Sequence, residues 1–318
     1  MNETSSKLQE SIEQGLFLKA VKEGLSEKQK SLPTSYLYDA RGSELFEEIT
    51  MLDEYYQART EIGILNNCIS DWAESLPSGT MLVEFGSGSS TKTEIILSAT
   101  QKISTYVPID VSEPALANAE NRLKTLFPSI KIIPLVGDFS TNITSLASEQ
   151  SPRVGFFPGS TIGNWRPDQA KELLRSFASI LGRGSQLLIG VDLVKDPDLL
   201  IAAYDDANKV TASFNLNILK RINRELNGNF NLEFFKHSPR YNSNLQRIEM
   251  HLQCLDKQLV RVGDKNFSFY KGETIHTENS YKYTVEKFRK LVREAGWSPV
   301  NVWTDADNLF SVHSLISE

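Results

Sequence analysis

Apolar residues follow two different spacings along the chain. Short stretches rich in apolar residues, which predict buried strands, occur at residues 81–85, 104–110, 130–136, 154–158 and 185–191. Between them, apolar residues recur every three or four positions, which is the spacing of an amphipathic helix. Strands that alternate this regularly with helices predict an α/β fold built on a doubly wound, mostly parallel sheet.

The pattern differs on both sides of this alternation. Before the first strand, helices are predicted over residues 7–25, from an N-cap at Ser43 to Ile49, and over 60–74. After Pro197, residues 201–226 read as largely helical, and strand-like runs follow at 247–255, 258–262 and 267–283. We expect this insertion to cover the carboxyl edge of the sheet as a substrate lid. A helix at 285–295 and an antiparallel pair, 300–303 with 310–316, should then complete the sheet.

The first strand leads into a glycine turn, residues 86–91, and a helix follows from Lys92. This order forms the first half of a nucleotide-binding βαβ unit. The third glycine of a dinucleotide fingerprint is missing, and Thr91 stands where a phosphate loop has glycine. S-adenosylmethionine (SAM) has no phosphate and needs only the tight turn formed by Gly86 and Gly88. Glu84 beside the turn also suits its ammonium and sulfonium charges. From this stretch alone, binding of another nucleotide and a turn that binds no ligand remain alternatives to SAM binding.

Acidic residues end the next two strands. Asp110 follows the second strand, where a carboxylate can accept both ribose hydroxyls of an adenosine. Asp138 and Phe139 follow the third, where an acid and an aromatic ring can hold an adenine. The simpler interpretation of this third position is an ordinary turn at the end of a strand.

Three further stretches carry polar residues that suit a small ligand. The loop 159–164, after the fourth strand, has two glycines and Asn164. The stretch 53–60 is rich in tyrosine, and its alternative role is a domain joint with packed rings and hydrated hydroxyls. Strand alternation places the side chains of Glu278 and Ser280 on the same face of a strand, where they could contact a ligand. The alternative is that this face is exposed to solvent.

Composition narrows the function classes. Of 318 residues, 40% are hydrophobic and 23% charged, which is ordinary for a globular protein. The net charge of −6 argues against nucleic acid as a partner. No apolar stretch approaches the roughly 20 residues that span a bilayer, so we expect no membrane partner. The N-terminus lacks the apolar core of a secretory signal, and two cysteines give no disulfide framework, so we expect a cytoplasmic protein. The scattered histidines show no metal-ligand spacing, and no metal is expected.

Longer stretches together resemble the L-histidine Nα-methyltransferases of ergothioneine biosynthesis. In chain order they are LPTSYLYDARGSELFEEIT, EYYQARTE, VEFGSGSSTKT, PIDVS, GDF, GSTIGNW, DLVKD, AYDDANKVTASFN, NRELN, RIEMHL and TENSYKY. The resemblance runs from about Leu16 to the C-terminus and is far more specific than the glycine turn. It implies a Rossmann-like class I SAM-dependent methyltransferase core at 58–195 and 284–318. An additional α+β substrate-binding domain would combine residues 1–57 with the insertion after strand five, 196–283.

The resemblance also implies binding residues. With Glu84 and Gly88 of the turn, the predicted SAM site is completed by Gly86, Lys92, Asp110, Asp138 and Phe139. The residues implied to bind L-histidine are Tyr55, Gly159, Asn164, Tyr204, Met250, Glu278 and Ser280. Asn164 and Tyr204 would fix the carboxylate and amine end of the substrate, and Tyr38 is a candidate to carry its proton, so these three form the predicted catalytic set.

The activity implied by the resemblance is trimethylation of the α-amino group of L-histidine to hercynine, by in-line methyl transfer from SAM. We expect a monomer. Fungal indole-alkaloid N-methyltransferases share much of this framework, so another amino acid or an indole-type amine is the alternative substrate. Two other classes stay open from the residues alone. One is a phosphate-loop nucleotide hydrolase, and the other is a non-catalytic protein that binds SAM or an amino acid.

Overall fold

The structure, a computed structural model, describes the main chain of residues 3–140 and 151–318 and the side chains from Ile12 onward. In chain order, the α-helices of these residues are α1 (Glu3–Gly24), α2 (Ala40–Thr50), α3 (Tyr56–Glu74), α4 (Thr91–Ala99), α5 (Glu113–Leu126), α6 (Pro167–Leu181), α7 (Pro197–Ala202), α8 (Val210–Glu225) and α9 (Val285–Glu294). The strands are β1 (Thr80–Phe85), β2 (Ile103–Asp110), β3 (Lys131–Ile132), β4 (Leu135–Val136), β5 (Arg153–Phe157), β6 (Gln186–Asp192), β7 (Phe235–Asn242), β8 (Arg247–Cys254), β9 (Gln258–Val262), β10 (Lys265–Phe269), β11 (Thr274–Tyr281), β12 (Trp297–Thr304) and β13 (Phe310–Ser317).

The chain divides into two compact units. The larger unit comprises residues 55–196, 243–247 and 280–318, and the smaller unit comprises residues 1–54, 197–242 and 248–279. The expected substrate-binding domain includes residues 55–57, 196, 243–247 and 280–283, whereas the internal contacts group these residues with the larger unit. What each unit binds stays a prediction.

A mixed sheet forms the centre of the larger unit. Among the described residues its strand order is β12-β13-β6-β5-β1-β2-β3, and β4 pairs with β2. β1 pairs in parallel with β2 and β5, whereas β13 is antiparallel to both β6 and β12. The predicted parallel sheet with an antiparallel closing pair is therefore confirmed. The order reverses between β1 and β5, which is where α/β sheets of this type bind ligands.

Strand β1 shows how the sheet is covered on both faces. All six of its residues are buried, as expected for a central parallel strand. Met81, Val83 and Phe85 point to the face covered by α6 and α9, and the ring of Phe85 stacks on Phe177 at 3.8 Å. Leu82 points to the opposite face with α3 and α4. The alternation therefore directs Glu84 towards α4.

The predicted third strand, 130–136, is wrong as a continuous element. Two short strands, β3 and β4, replace it, and both pair with β2. Pro134 lies between them, and a proline has no N–H to donate to a sheet ladder.

In the smaller unit, β11, β8 and β7 form a sheet in that order, and β9 and β10 form a separate antiparallel pair. Strand β7 has no counterpart among the predicted strands. The helical stretch predicted over 201–226 is interrupted, because α7 ends at Ala202 and α8 begins at Val210.

The start of helix α2 corrects another prediction. The helix begins at Ala40 rather than after Ser43, and its N-cap is Asp39, whose side chain accepts a hydrogen bond of 2.8 Å from the main-chain N–H of Gly42. Asp39 also pairs with Arg224 at 2.6 Å. Serine and aspartate have similar intrinsic preferences for the N-cap position. The additional contact with Arg224 on α8 therefore favours Asp39 over Ser43.

Within the described residues, no helix combines the length and apolar character needed to cross a membrane.

Candidate active site

The glycine turn after β1 is held against the end of β2. Main-chain N–H groups of Gly86 and Ser87 donate to the oxygen of Ile109 at 2.8 and 3.1 Å. Gly86 and Gly88 have φ values of 72° and 49°, a region that glycine enters without a Cβ penalty. A Cβ on Gly86 would lie only 3.1 Å from the Phe139 ring. These two glycines therefore keep the main chain open to a ligand at this edge.

Asp110, at the end of β2, is fixed by two main-chain donors. Its Oδ2 accepts from the N–H of Gly88 at 2.8 Å, and its Oδ1 accepts from the N–H of Ser112 at 2.9 Å. Burial raises the pKa of Asp110, and these hydrogen bonds oppose that effect. Each carboxylate oxygen can accept more than one hydrogen bond, so the carboxylate keeps acceptor capacity for a pair of hydroxyl groups.

Asp138 and Phe139 lie on the neighbouring strand end. The N–H of Gly137 donates to the main-chain oxygen of Asp110 at 2.9 Å, which brings the two acidic positions together. The Phe139 ring is buried beside Phe157 and Trp165, with ring centroids 5.4 and 5.6 Å away. The aromatic cluster holds the ring at the position where its edge approaches the glycine turn.

Glu84 lies behind the turn rather than on its open side. Its Oε2 accepts hydrogen bonds from the hydroxyls of Thr93 and Tyr106. Burial raises the pKa of Glu84 to about 8, although both hydroxyl groups and Lys92 oppose the shift. Its charge is therefore sensitive to any cation that binds nearby.

Ser87 provides a separate indication of a ligand. Its hydroxyl oxygen is buried and has no hydrogen-bond partner among the described residues. A buried polar atom without a partner costs free energy, so a polar ligand group at the turn would relieve this cost. The turn, Asp110 and this hydroxyl together fit a ligand that carries a ribose and a charged amino-acid moiety, as SAM does.

Lys92 pairs with a residue outside the predicted site. Its ammonium donates to Glu61, a fully buried residue of α3. Glu61 also accepts from the main-chain N–H of Gly159, with its two oxygens at 3.1 and 2.9 Å. It thereby joins a predicted SAM residue to a predicted substrate residue. Its burial could have been predicted from helical spacing, because Glu61 lies in line with the buried residues Ala58, Leu65 and Cys68 on the apolar face of α3.

The loop that carries Gly159 and Asn164 is fixed at two points. Ser160 has a φ of 55°, and its hydroxyl accepts from the main-chain N–H of Asp192 at 2.8 Å. Gly163 packs so closely that a Cβ there would lie 2.8 Å from the main-chain oxygen of Tyr281. Asn164 is half-buried at the end of this loop.

A buried cluster surrounds Asp192, at the end of β6. Tyr56 donates to its carboxylate at 2.8 Å, and Lys195 and Lys282 pair with it at 2.5 and 2.7 Å. Burial alone would raise the pKa of Asp192, but the two lysines outweigh it and hold the pKa below its usual value. Burial lowers the pKa of Lys195 to about 8. Lys282 also donates to the hydroxyl of Ser280 at 2.7 Å.

This cluster changes the interpretation of the tyrosine-rich stretch. The Tyr56 hydroxyl is buried against Asp192, so the alternative with hydrated hydroxyls is wrong for Tyr56. Tyr55 is half-buried at the N-cap of α3.

The predicted substrate and catalytic residues divide between the units. The larger unit contains Tyr55, Gly159, Asn164 and Ser280, and the smaller unit contains Tyr38, Tyr204, Met250 and Glu278. In the smaller unit, the Tyr38 ring packs edge-on against Phe46 and Phe214. Tyr204, Met250 and Glu278 are all buried. Glu278 and Ser280 on β11 are 8% and 5% exposed, so the solvent-facing alternative for this pair is wrong.

The strand order is that of the Rossmann-like fold of class I SAM-dependent methyltransferases. A solved SAM-dependent methyltransferase from Clostridium acetobutylicum has the same fold, with a TM-score of 0.52 and 12% sequence identity, over 86% of this chain and 98% of that one. Residues 17–317 match the model of the family described as "Histidine-specific methyltransferase, SAM-dependent", and the chain belongs to that family.

Relatives with assigned names support the same class. The histidine N-alpha-methyltransferase of Mycolicibacterium smegmatis is 40% identical over 294 residues, which are 90% of each chain. N-methyltransferase fsqC of Aspergillus fumigatus is 31% identical over 300 residues, 91% of this chain and 80% of the relative. The protein is a SAM-dependent methyltransferase.

No group of three or more His, Cys, Asp or Glu side chains suited to holding a metal ion occurs in the described part of the chain.

Proposed function

We propose that the protein methylates the α-amino nitrogen of L-histidine with SAM and adds three methyl groups in succession to give hercynine, the precursor of ergothioneine. The observation that carries the proposal is the match of residues 17–317 to the histidine-specific family. The 40% identical histidine N-alpha-methyltransferase supports it over nearly the same length. The enzyme would work as a cytoplasmic monomer without a nucleic-acid or membrane partner.

The larger unit supplies the predicted SAM site. Asp110 would accept hydrogen bonds from the ribose hydroxyls, since its two oxygens are already oriented by Gly88 and Ser112. Asp138 and Phe139 would hold the adenine. The open main chain at Gly86 and Gly88 and the Lys92 ammonium would accommodate the methionine part, with Glu84 behind the turn. When bound, SAM supplies a methyl group on a positively charged sulfur.

The substrate residues would then hold histidine in the reactive geometry. Asn164 and Tyr204 would bind its carboxylate and amine end, with the main chain of Gly159 nearby. Glu278, Ser280 and Tyr55 would bind the imidazole ring, and Met250 would pack beside it. Holding the nitrogen roughly 3–3.5 Å from the methyl carbon, in line with the breaking bond, lowers the barrier by about 7–11 kcal/mol.

Proton removal precedes each transfer to a protonated amine. Only a neutral nitrogen has the lone pair that forms the new C–N bond as the S–C bond breaks. The Tyr38 hydroxyl or a water molecule would carry the proton away. No metal is required, because the positively charged sulfur takes the electron pair of the breaking S–C bond and leaves as a neutral thioether.

A substrate panel tests this function. The native protein is incubated with SAM and each of the natural amino acids separately, and methylated products are measured by mass spectrometry. Histidine should be the preferred substrate by a large factor. Faster turnover of tryptophan, phenylalanine or another amino acid would contradict the proposal and would favour the alternative, an N-methyltransferase of another amino acid or of an indole-type amine.

A further inference from the structure

Asn215 lies fully buried in helix α8 of the smaller unit and uses both ends of its amide. Its Oδ1 lies 2.7 Å from the hydroxyl of Thr277. Its Nδ2 lies 2.9 Å from Nδ1 of His237 and 3.2 Å from the main-chain oxygen of His251. Asparagine is not favoured inside helices, so a buried asparagine with a satisfied amide indicates a role for the polar network itself.

The chemistry of the partners fixes the direction of each hydrogen bond. Nε2 of His237 lies 2.7 Å from the main-chain oxygen of Tyr204, which can only accept, so Nε2 carries the proton. Burial lowers the pKa of His237, so the ring is neutral near pH 7 and its Nδ1 accepts. The amide nitrogen of Asn215 must therefore face His237, and its oxygen accepts from Thr277.

These hydrogen bonds form a relay of four residues, Thr277, Asn215, His237 and Tyr204. The relay joins two segments that carry predicted substrate residues. Tyr204 lies in the loop between α7 and α8, and Thr277 directly precedes Glu278 on β11. The Thr277 hydroxyl also lies 3.1 Å from the main-chain oxygen of Met250. The far side of the Tyr204 loop is anchored separately, because Asp206 accepts from the first N–H groups of α8.

We propose that Asn215 and His237 are positioning residues for the amine substrate. The hydrogen bonds from Thr277 through Asn215 and His237 to the main-chain oxygen of Tyr204 fix the position of Tyr204 relative to the strand that carries Glu278. The inference rests on the proposed function, because it treats Tyr204 and Glu278 as substrate residues. A displacement of about 1 Å in such a site is enough to lower the rate by roughly 100-fold.

Two substitutions at His237 test the relay. His237→Phe keeps a ring but removes the donor to Tyr204 and the acceptor for Asn215. It should raise KM for histidine roughly 5- to 150-fold. The reason is that the amide N–H of Asn215 loses its acceptor and the main-chain oxygen of Tyr204 loses its donor. His237→Gln can restore an N–H donor to Tyr204 and should recover most of the loss. SAM affinity should stay within about twofold in both variants, because the predicted SAM residues belong to the larger unit.

A matched control separates positioning from stability. Asn223 lies on the same helix, donates to the main-chain oxygen of Phe230 at 2.9 Å and accepts from its N–H at 2.8 Å. Asn223→Ala should lower Tm as His237→Phe does but should leave KM for histidine unchanged.

The hydrogen-bond directions also have a readout that does not depend on activity. ¹⁵N NMR of the native protein should show His237 with a protonated Nε2 and an unprotonated Nδ1. An Nδ1–H tautomer would overturn the inference, and so would an unchanged KM for histidine in His237→Phe. Failure of the native protein to methylate histidine would instead overturn the proposed function, and the inference with it. The native sample alone distinguishes that outcome.

Discussion

The main-chain N–H of Gly88 donates a hydrogen bond of 2.8 Å to Oδ2 of Asp110. This contact fixes the turn after one strand to the acid at the end of the next strand, in addition to the hydrogen bonds that Gly86 and Ser87 donate to Ile109. Asp110 thus lies at the carboxyl edge of the sheet, one strand away from the point between β1 and β5 where the strand order reverses.

Asp110→Ala should therefore weaken SAM binding. Removing the carboxylate would leave the ribose hydroxyls without their proposed acceptor, which would cost about 1.5–3 kcal/mol and predicts a roughly 10- to 150-fold higher Kd. Isothermal titration calorimetry measures this directly. Asp71→Ala, at an exposed position of α3, is the control and should bind SAM normally. A folded Asp110→Ala protein with native SAM affinity would exclude this role.

Glu84 should make the stability of the protein depend on pH. Its pKa in the folded protein is about 8, above the ordinary value of 4.5, because it is buried. The unfolded chain therefore releases the proton first as pH rises. The contribution of Glu84 to stability is fully present below about pH 4.5 and is lost between about pH 4.5 and 8.

Glu84→Gln removes this titration and keeps an acceptor for Tyr106. The difference in unfolding free energy between native and variant proteins should change by a few kcal/mol between pH 5 and 8, at about 1.4 kcal/mol per pH unit. Urea unfolding at several pH values gives this difference. Parallel stability curves for the two proteins would show that Glu84 ionises normally.

Glu278 should determine the preference for histidine. An imidazole N–H directed at a buried carboxylate makes a charge-assisted hydrogen bond, and a site built for it rejects rings that lack the donor. Glu278→Ala should cost about 2–4 kcal/mol in kcat/KM for histidine and should reduce the discrimination against phenylalanine. SAM affinity is the control and should barely change. If histidine turnover survives intact, the ring is recognised elsewhere, with His276 as the next candidate.

The rate should depend on pH through the substrate. The proposed nucleophile is a neutral amine, so kcat/KM for histidine should rise as pH increases through the ionisation of the substrate's ammonium group. Dimethylhistidine, whose amine also needs a free lone pair, should show a similar rise. A flat profile from mildly acidic to alkaline pH, with methyl transfer shown to limit the rate, would argue against this order of events.

The sequence predicted features that depend on local pattern. The glycine turn, the acid at the end of β2 and the alternation of strands and helices each follow from neighbouring residues, and the structure has them where expected. The break at Pro134 was also readable in principle, since proline cannot continue the ladder.

Features that depend on distant partners were not predictable in this way. Ser43 and Asp39 are both suitable N-caps, and only the contact of Asp39 with Arg224 on a remote helix separates them. The burial of Glu61 likewise depends on Lys92 and on the N–H of Gly159, which lie far away in sequence. The lysines that pair with Asp192 are another example, because Lys282 is brought to it only by the folded chain.

The central claim is that SAM methylates the α-amino nitrogen of histidine until it is quaternary. The most direct measurement follows the native protein acting on histidine with a ¹⁵N-labelled α-amine, with the product analysed by mass spectrometry and NMR. We expect a single final product that carries three methyl groups on the labelled nitrogen, with three equivalents of S-adenosylhomocysteine formed. A methyl group on a ring nitrogen, or a final product with only one methyl group, would contradict the account.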